Sequence, residues 1–194
     1  MTTTARHQAK ADRRAALLDA AARLFARSGF EGVSIEELGA AAGVSGPALY
    51  RHFSGKQAML GALLVEPSRR LLAGGEAVVA GACDDHEALR ALVRFHADFA
   101  LDEPHVIQVQ DRDLPALAEA DRREVRSLQR RYVEMWVGVL ARLSPEADVA
   151  VLRGRAHATF GLLNSTPHSA RGLSRARARA LLESMALAAL TAPL

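Results

Sequence analysis

The sequence predicts an all-α protein of about nine helices. Three features support this: apolar residues recur every three or four positions, no stretch alternates convincingly at period two, and helix-start and helix-stop residues lie between the periodic segments. The chain has 194 residues, of which 49% are hydrophobic, so it can bury a core as one compact unit or two small ones.

Glycine and a capping box mark the first two helices. Residues 1–11 are expected to form a frayed arm, and an apolar face predicts a first helix from about Asp12 to Arg27, ended by Gly29. Ser34 is followed three positions later by Glu37, and each side chain can bond the backbone N–H of the other. The second helix is therefore expected to begin there.

A third, short helix is predicted directly after a tight turn at Gly43, because glycine tolerates the left-handed backbone of such a turn. Ser45 can cap this helix, and Pro47 falls in its first turn, where the missing N–H costs little. Leu49 and Phe53, four positions apart, would face the core. Two short helices joined by a glycine turn are typical of a helix-turn-helix, whose second helix enters the DNA major groove.

Apolar spacing predicts six further helices. Pro67 is expected to kink or split the first of them, and Asp85, Ser144 with Pro145, and Ser174 are the expected start signals of three others. The predicted segments are residues 56–80, 85–101, 104–110, 116–143, 145–164 and 174–190. Residues 111–115 and 166–172 are expected to be loops.

The stretch from about Ala16 to Leu60 resembles the TetR family of bacterial transcriptional regulators. The residues that carry the resemblance are Gly43-Val44-Ser45, Leu49-Tyr50, His52-Phe53 and Lys56. The remaining two thirds match the family in length and helical character. The resemblance implies a three-helix DNA-binding domain over residues 1–55 and a larger helical effector-binding and dimerisation domain over residues 56–194. Gly39 departs from the family, where a helix-packing alanine is more usual.

The resemblance also implies which residues meet DNA. Base edges would face Gly46, Pro47, Ala48 and Arg51, and only Arg51 can make a bidentate contact with guanine. Phosphates would be held by Tyr50, His52 and Lys56. The full expected set is Ser34, Ser45, Gly46, Pro47, Ala48, Tyr50, Arg51, His52 and Lys56.

Some alternatives stay open within this set. Arg51 could be an ordinary exposed arginine, and Tyr50 could be a hydrophobic cap. The basic side chains of the N-terminal arm could reach DNA or only aid solubility; they are Arg6, Lys10, Arg13 and Arg14.

The resemblance places a small-molecule effector within the middle helices. The expected ligand-binding residues are Phe95, His96, Phe99, Val109, Arg126, Arg130, Met135 and Trp136, although each apolar one could equally belong to the core. Five arginines lie between Arg122 and Arg131, and those four apart share a helix face. This face suits a phosphate-bearing apolar molecule such as an acyl-CoA, or it is a solvated face paired with Asp121, Glu124 and Glu134.

The last two long helices carry apolar stripes that either complete one core or pair across a two-fold axis in a homodimer. The resemblance favours the homodimer, which would bind a palindromic DNA operator. Residues 1–56 hold eight lysines and arginines against five acids, so the whole net charge of +3 lies at the end expected to bind DNA, as phosphate neutralisation requires.

Other classes of protein lack support in the sequence. The seven histidines form no metal-binding motif, and no nucleophile or phosphate-loop motif occurs, so no enzyme, catalytic residue, metal or cofactor is expected. No apolar run would span a membrane, no signal peptide is evident, and a single cysteine suits the cytoplasm. The expected function is a ligand-released repressor. The alternative is a DNA-binding regulator or activator without a small-molecule ligand.

Overall fold

The computed structural model describes residues 3–193. The side chains of residues 3–6 and the burial of Gly46 lie outside this description. The expectation for the Arg6 side chain therefore lies outside the described part. The described residues form ten α-helices and no strand, which confirms the all-α prediction. The helices are α1 (Thr3–Ser28), α2 (Ile35–Ala41), α3 (Gly46–Leu49), α4 (Lys56–Gly81), α5 (Asp85–Asp102), α6 (Pro104–Asp113), α7 (Glu119–Leu143), α8 (Val149–Leu163), α9 (Thr166–Ser169) and α10 (Arg175–Thr191). A single 3-10 turn, Leu114–Ala116, joins α6 to α7.

The chain divides into two compact units. Unit 1 consists of Met1–Glu66 and Gln108–Glu124, and unit 2 of Pro67–Ile107 and Val125–Leu194. The division thus falls within α4, α6 and α7. The predicted domain boundary after residue 55 stays a prediction.

Local sequence signals position the helices of unit 1. The Ser34 hydroxyl accepts the Glu37 N–H at 3.2 Å, and the Glu37 carboxylate accepts the Ser34 N–H at 2.8 Å, so the predicted capping box is present. Gly43 has a φ of 65°, as the predicted turn requires. The core of this unit includes Leu17, Phe25, Phe30, Leu38, Leu49, Phe53 and Met59, all of them buried.

Unit 2 buries one continuous apolar cluster formed by residues of α4, α5, α7, α8 and α10, with the fully buried Trp136 among them. Two glycines in α4 permit close packing here. A Cβ at Gly74 would lie 2.2 Å from the Phe95 ring, and one at Gly75 would lie 2.7 Å from the Tyr132 ring. Any larger residue at these positions would force the rings away.

Two predicted helix boundaries are wrong, and one expected interruption is decided only in part. Residues 3–11 are helical rather than frayed, because alanine, arginine, lysine and glutamine there favour the helix. Of the kink or split expected at Pro67, the split does not occur, since α4 runs through this residue, and the kink stays a prediction. Residues 111–113 continue α6 instead of forming a loop.

Two helix starts and one loop also need correction. The cap of α5 is Asp84, whose carboxylate accepts the Glu87 N–H at 2.7 Å, and not Asp85. The cap of α8 is Asp148, whose carboxylate accepts the Ala150 N–H at 2.6 Å, and not Ser144, whose N–H bonds the Leu140 carbonyl at the end of α7. The expected loop at residues 166–172 contains the short helix α9. Ser174 caps α10 as predicted.

Candidate DNA-binding and effector sites

The helix-turn-helix of unit 1 consists of α2, the turn at Gly43, and α3. The helix α3 proper has four residues, and its winding continues through hydrogen bonds from the N–H groups of His52 and Phe53 to the Leu49 carbonyl, at 2.9 and 3.1 Å. Leu49 and Phe53 are buried, as predicted. Their burial fixes which side of this segment remains outside.

The outer side of α3 carries most of the predicted DNA-contacting residues. Pro47, Tyr50 and Arg51 are exposed, and Ala48 and His52 are half-buried. Tyr50 is 56% exposed, which suits a phosphate contact better than a hydrophobic cap, and its role stays a prediction. The His52 Nδ1 is buried and has no hydrogen bond among the residues described. Ser34 and Ser45 are also exposed, and the burial of Gly46 lies outside the description.

Lys56 is placed differently from the expectation of a free phosphate-binding ammonium. Its Nζ donates to the carbonyls of Phe30 at 3.0 Å, Val33 at 3.1 Å and Glu31 at 3.5 Å, and it lies 4.6 Å from the centre of the Phe30 ring. An ammonium has three donors, so each one has a carbonyl acceptor in the α1–α2 loop. A phosphate would have to displace one of them, and the DNA contact of Lys56 stays a prediction.

Arg14 likewise has a structural environment. Its guanidinium makes a bidentate pair with Glu66, at 2.6 and 3.0 Å, and lies 4.8 Å from the centre of the Phe53 ring. The hydrogen bond to Glu66 raises the pKa of Arg14. Of the arm residues described, Lys10 and Arg13 remain exposed.

Unit 2 contains a buried polar and aromatic cluster around His96, which is 3% exposed. The His96 Nε2 lies 3.0 Å from Asn164 Oδ1, and its Nδ1 lies 3.3 Å from the Tyr132 hydroxyl. The Phe160 ring is centred 5.1 Å from the imidazole, and Trp136 meets it edge-on at 6.1 Å. With Asn164 Oδ1 as acceptor, Nε2 carries the proton and Nδ1 accepts the hydroxyl hydrogen.

Burial keeps this cluster uncharged. It lowers the pKa of His96 from 6.5 to about 4, and the hydrogen bond to Asn164 opposes this only in part. It also raises the pKa of Tyr132. The nearby Trp136 N–H opposes this rise in the pKa of Tyr132 only slightly. Neither the Trp136 N–H nor the buried Thr159 hydroxyl makes a hydrogen bond of ordinary geometry among the described residues. The cluster thus offers aromatic surface and neutral hydrogen-bonding groups.

The predicted ligand-binding residues are only partly brought together. His96, Phe99 and Trp136 share the cluster, whereas Phe95 contacts Gly74 and Met135 contacts Gly75. Val109 is buried and belongs to unit 1. The prediction missed Tyr132, Thr159 and Phe160. The pairs Tyr132 with Trp136 and Phe160 with Asn164 are each four apart, and that spacing could have revealed them.

The arginine-rich segment is only partly neutralised. Arg122 and Arg123 pair with Glu119, and Arg131 pairs with Glu76 at 3.2 Å. Glu134, one of the acids expected to pair within this face, instead pairs with Arg153 of α8 at 2.9 Å. Arg126 and Arg130 are exposed and make no ion pair among the described residues.

Beside Arg130 lies an open depression of about 530 Å³. It is lined by Glu76, Ser127, Arg130, Arg131, Glu134 and Met135.

The helices α8 and α10 expose large apolar side chains. Val149 and Val151 of α8, and Leu181 and Met185 of α10, are each between 42% and 49% exposed. These two helices also pack against each other. Their exposed side chains are therefore available to a partner surface.

In the part of the chain that the structure describes, no group of three or more histidine, cysteine, aspartate or glutamate side chains could hold a metal ion. No helix between residues 3 and 193 is long and apolar enough to cross a membrane.

A helix-turn-helix followed by a larger all-helical part defines a DNA-binding regulator. The profile of bacterial regulatory proteins of the tetR family matches residues 17–63, and that of the tetracyclin repressor-like C-terminal domain matches residues 82–168. The chain belongs to the TetR family of transcriptional regulators. This membership confirms the expectation that it is not an enzyme.

Known relatives agree with the family. The chain is 32% identical over 133 residues to the transcriptional repressor KstR2 of Rhodococcus jostii, a match covering 68% of this chain and 65% of that protein. It is 35% identical over 88 residues to the transcriptional activator FasR of Mycolicibacterium smegmatis, covering 45% and 40%. The chain thus spans less than two thirds of the length of these relatives.

Solved structures share the fold. The TetR family regulator PfmR of Thermus thermophilus superposes with a TM-score of 0.77 at 26% identity, over 92% of this chain and 95% of that one. FadR of Bacillus subtilis, solved with stearoyl-CoA, gives 0.71 at 17% identity, over 92% and 98%.

Proposed function

We propose that the protein is a cytoplasmic, homodimeric transcriptional repressor that binds a palindromic operator and is released from it by a small hydrophobic effector. The observation that carries this proposal is the outer side of α3. In α3 and the turn that follows it, the apolar side chains of Leu49 and Phe53 are buried. Pro47, Tyr50 and Arg51 are exposed on the same segment, which the family inserts into the major groove.

Each exposed residue of this segment has a role that follows from its chemistry. Arg51 is proposed to recognise guanine through a bidentate contact, which contributes about 1–3 kcal/mol of discrimination. Pro47 and Ala48, which have no polar side-chain atoms, would contact base edges or thymine methyl groups. The Tyr50 hydroxyl would bind a phosphate, and so would the His52 imidazole through Nε2, because its Nδ1 is buried.

The apolar side chains exposed on α8 and α10 support the homodimer. Pairing these two helices with those of a second copy would bury Val151, Leu181 and Met185 in a four-helix interface. A two-fold axis would present two copies of α3 to successive major grooves, which lie about 34–36 Å apart. The operator would therefore be a palindrome.

An acyl-CoA or related lipid metabolite is the proposed effector. The unpaired Arg126 and Arg130 suit phosphate groups, because no acid in the described structure neutralises them. The uncharged cluster around His96 suits an apolar group with hydrogen-bonding atoms. FadR was solved with stearoyl-CoA, and AibR, which resembles this chain at 21% identity and a TM-score of 0.73, with isovaleryl coenzyme A and operator DNA. These resemblances support the fold, and the ligand class is our proposal.

Selection from a random DNA pool, followed by a release assay, tests the proposal. The pool should yield a palindrome, and fluorescence anisotropy should show its release by stearoyl-CoA or isovaleryl-CoA. Free coenzyme A and the free acids serve as controls. If only an uncharged compound causes release, or if Arg126→Ala with Arg130→Ala leaves acyl-CoA binding unchanged, the phosphate-bearing effector is wrong.

The second candidate is a DNA-binding regulator or activator without a small-molecule ligand. The transcriptional activator FasR, at 35% identity over 88 residues, supports only the activating role. A transcription assay on the selected palindrome separates the two. Repression requires less transcript when the protein is added, whereas activation requires more. Operator affinity that no metabolite alters would favour the candidate without a ligand.

A further inference from the structure

We propose that Arg112, at the end of α6, is a positioning residue for DNA binding. Its guanidinium donates to the carbonyls of Phe25 and of Ala26, the latter at 3.3 Å, in the last turn of α1. The Ala26 carbonyl lies in the last turn, where a helix end lacks intrahelical donors, while the Phe25 carbonyl also accepts the Gly29 N–H at 2.8 Å. A cation at this end also meets the negative end of the helix dipole. The inference extends the proposed DNA-binding function, on which it rests.

The Arg112 guanidinium is itself held in place. Asp113, which is 8% exposed, accepts from its Nε and Nη2, both at 3.2 Å. Gly29, which ends α1 with a φ of 79°, passes beside it, and a Cβ at this glycine would lie 3.6 Å from Arg112 Nε. Arg112 therefore holds the exit of α1 at the point where the chain turns toward α2.

The same loop is held at a second point by Lys56. Arg112 binds the carbonyls before Gly29, and Lys56 binds those of Phe30, Glu31 and Val33. The next residue, Ser34, caps α2. The backbone that leads into the helix-turn-helix is thus bound by one cation on each side of Gly29.

Arg112 comes from a segment that is anchored in unit 1. The Gln57 side chain donates to the Ala116 carbonyl at 2.7 Å. The Asp121 carboxylate packs against Gly61, so closely that a Cβ on this glycine would clash with it. The last turn of α6 and the exit of α1 belong to the same unit, so the Arg112 contacts lie within unit 1. Arg112 belongs neither to the predicted DNA-contacting set nor to the predicted effector set.

The test compares Arg112→Met and Arg112→Lys with the control Arg142→Met. Arg142 is a good match, because it lies in the last turn of α7, carries the same charge and pairs with an acid, Asp85, at 2.7 Å. Affinity for the selected palindrome is measured without effector, and amide hydrogen exchange is followed in the α1–α2 loop and in α10. Arg112→Met is expected to weaken DNA binding on the order of tenfold, because charged hydrogen bonds that fix the loop are lost. Loop exchange should accelerate while α10 stays protected.

Arg112→Lys keeps the charge but lacks the planar fork, so partial recovery of affinity is expected. It also preserves the test if Arg112→Met fails to fold. The inference is overturned if both Arg112 variants match Arg142→Met in affinity and loop exchange. It is also overturned if exchange rises equally throughout the protein, since that indicates general destabilisation. Should the wild-type protein bind no duplex DNA, the proposed function fails, and loop exchange alone decides whether Arg112 holds the loop.

Discussion

Lys56 gives the sharpest test of how the helix-turn-helix is held, because two roles predict opposite results for Lys56→Met. Methionine keeps much of the apolar stem but loses the ammonium and its bonds to the α1–α2 loop. Two of these bonds have ordinary lengths, 3.0 and 3.1 Å, and a hydrogen bond from a charged donor contributes about 1.5–3 kcal/mol. Partial exposure weakens them, and the ring of Phe30 adds about 0.5–1 kcal/mol.

The expected destabilisation is therefore about 2–3 kcal/mol, which for a chain of this size lowers Tm by roughly 5–10 °C. Thermal unfolding followed by circular dichroism measures this, with Lys10→Met as the control, since Lys10 is an exposed lysine. The salt dependence of operator binding is measured on the same variants. An unchanged Tm, together with a salt slope smaller by about 0.9, would show that the ammonium binds phosphate and would refute the loop role.

Three further results are expected. Arg51→Ala should reduce discrimination at one base pair by about 1–3 kcal/mol in a binding assay with single-substitution operators; equal weakening on every sequence would make Arg51 a phosphate contact. Met185→Glu should give monomers in analytical ultracentrifugation at micromolar concentration, because the charge would be buried unpaired in the dimer; persistent dimers would place the interface elsewhere. Because burial lowers the folded-state pKa of His96 to about 4, the unfolded state protonates first as pH falls below about 6.5. Between pH 7 and pH 5 this histidine should therefore cost about 2 kcal/mol of stability in urea unfolding, and a His96→Phe variant with the same pH dependence would disprove that origin.

The sequence predicts those features whose partners lie within one turn of helix. The capping box joins residues three apart, and the turn at Gly43 depends on one backbone angle. Where two local signals compete, the sequence does not decide between them. Ser144 with Pro145 and Asp148 are both reasonable helix starts; in the structure Asp148 caps α8, and the Ser144 N–H bonds the end of α7.

The features that the sequence could not predict depend on distant partners. The Arg112 guanidinium bonds residues 86 and 87 positions away, and the His96 imidazole bonds residues 36 and 68 positions away. Residue type identifies such side chains as candidates for polar contacts, but only packing chooses the partner. Lys56 shows the same limit: its place in the motif is evident from the sequence, and its three carbonyl acceptors are not.

This distinction alters the electrostatic argument for DNA binding. The sequence assigns an excess of three positive charges to residues 1–56. Of the cations in this range, Arg14 pairs with Glu66, which lies outside the range, and Lys56 binds backbone carbonyls. Fewer cations thus remain free to neutralise phosphates than the count implies, so sequence-independent attraction to DNA should be modest. In the proposed complex, selective binding would then depend on Arg51 and on its duplication in the dimer, because two copies of a weak recognition surface contribute twice the discrimination of one.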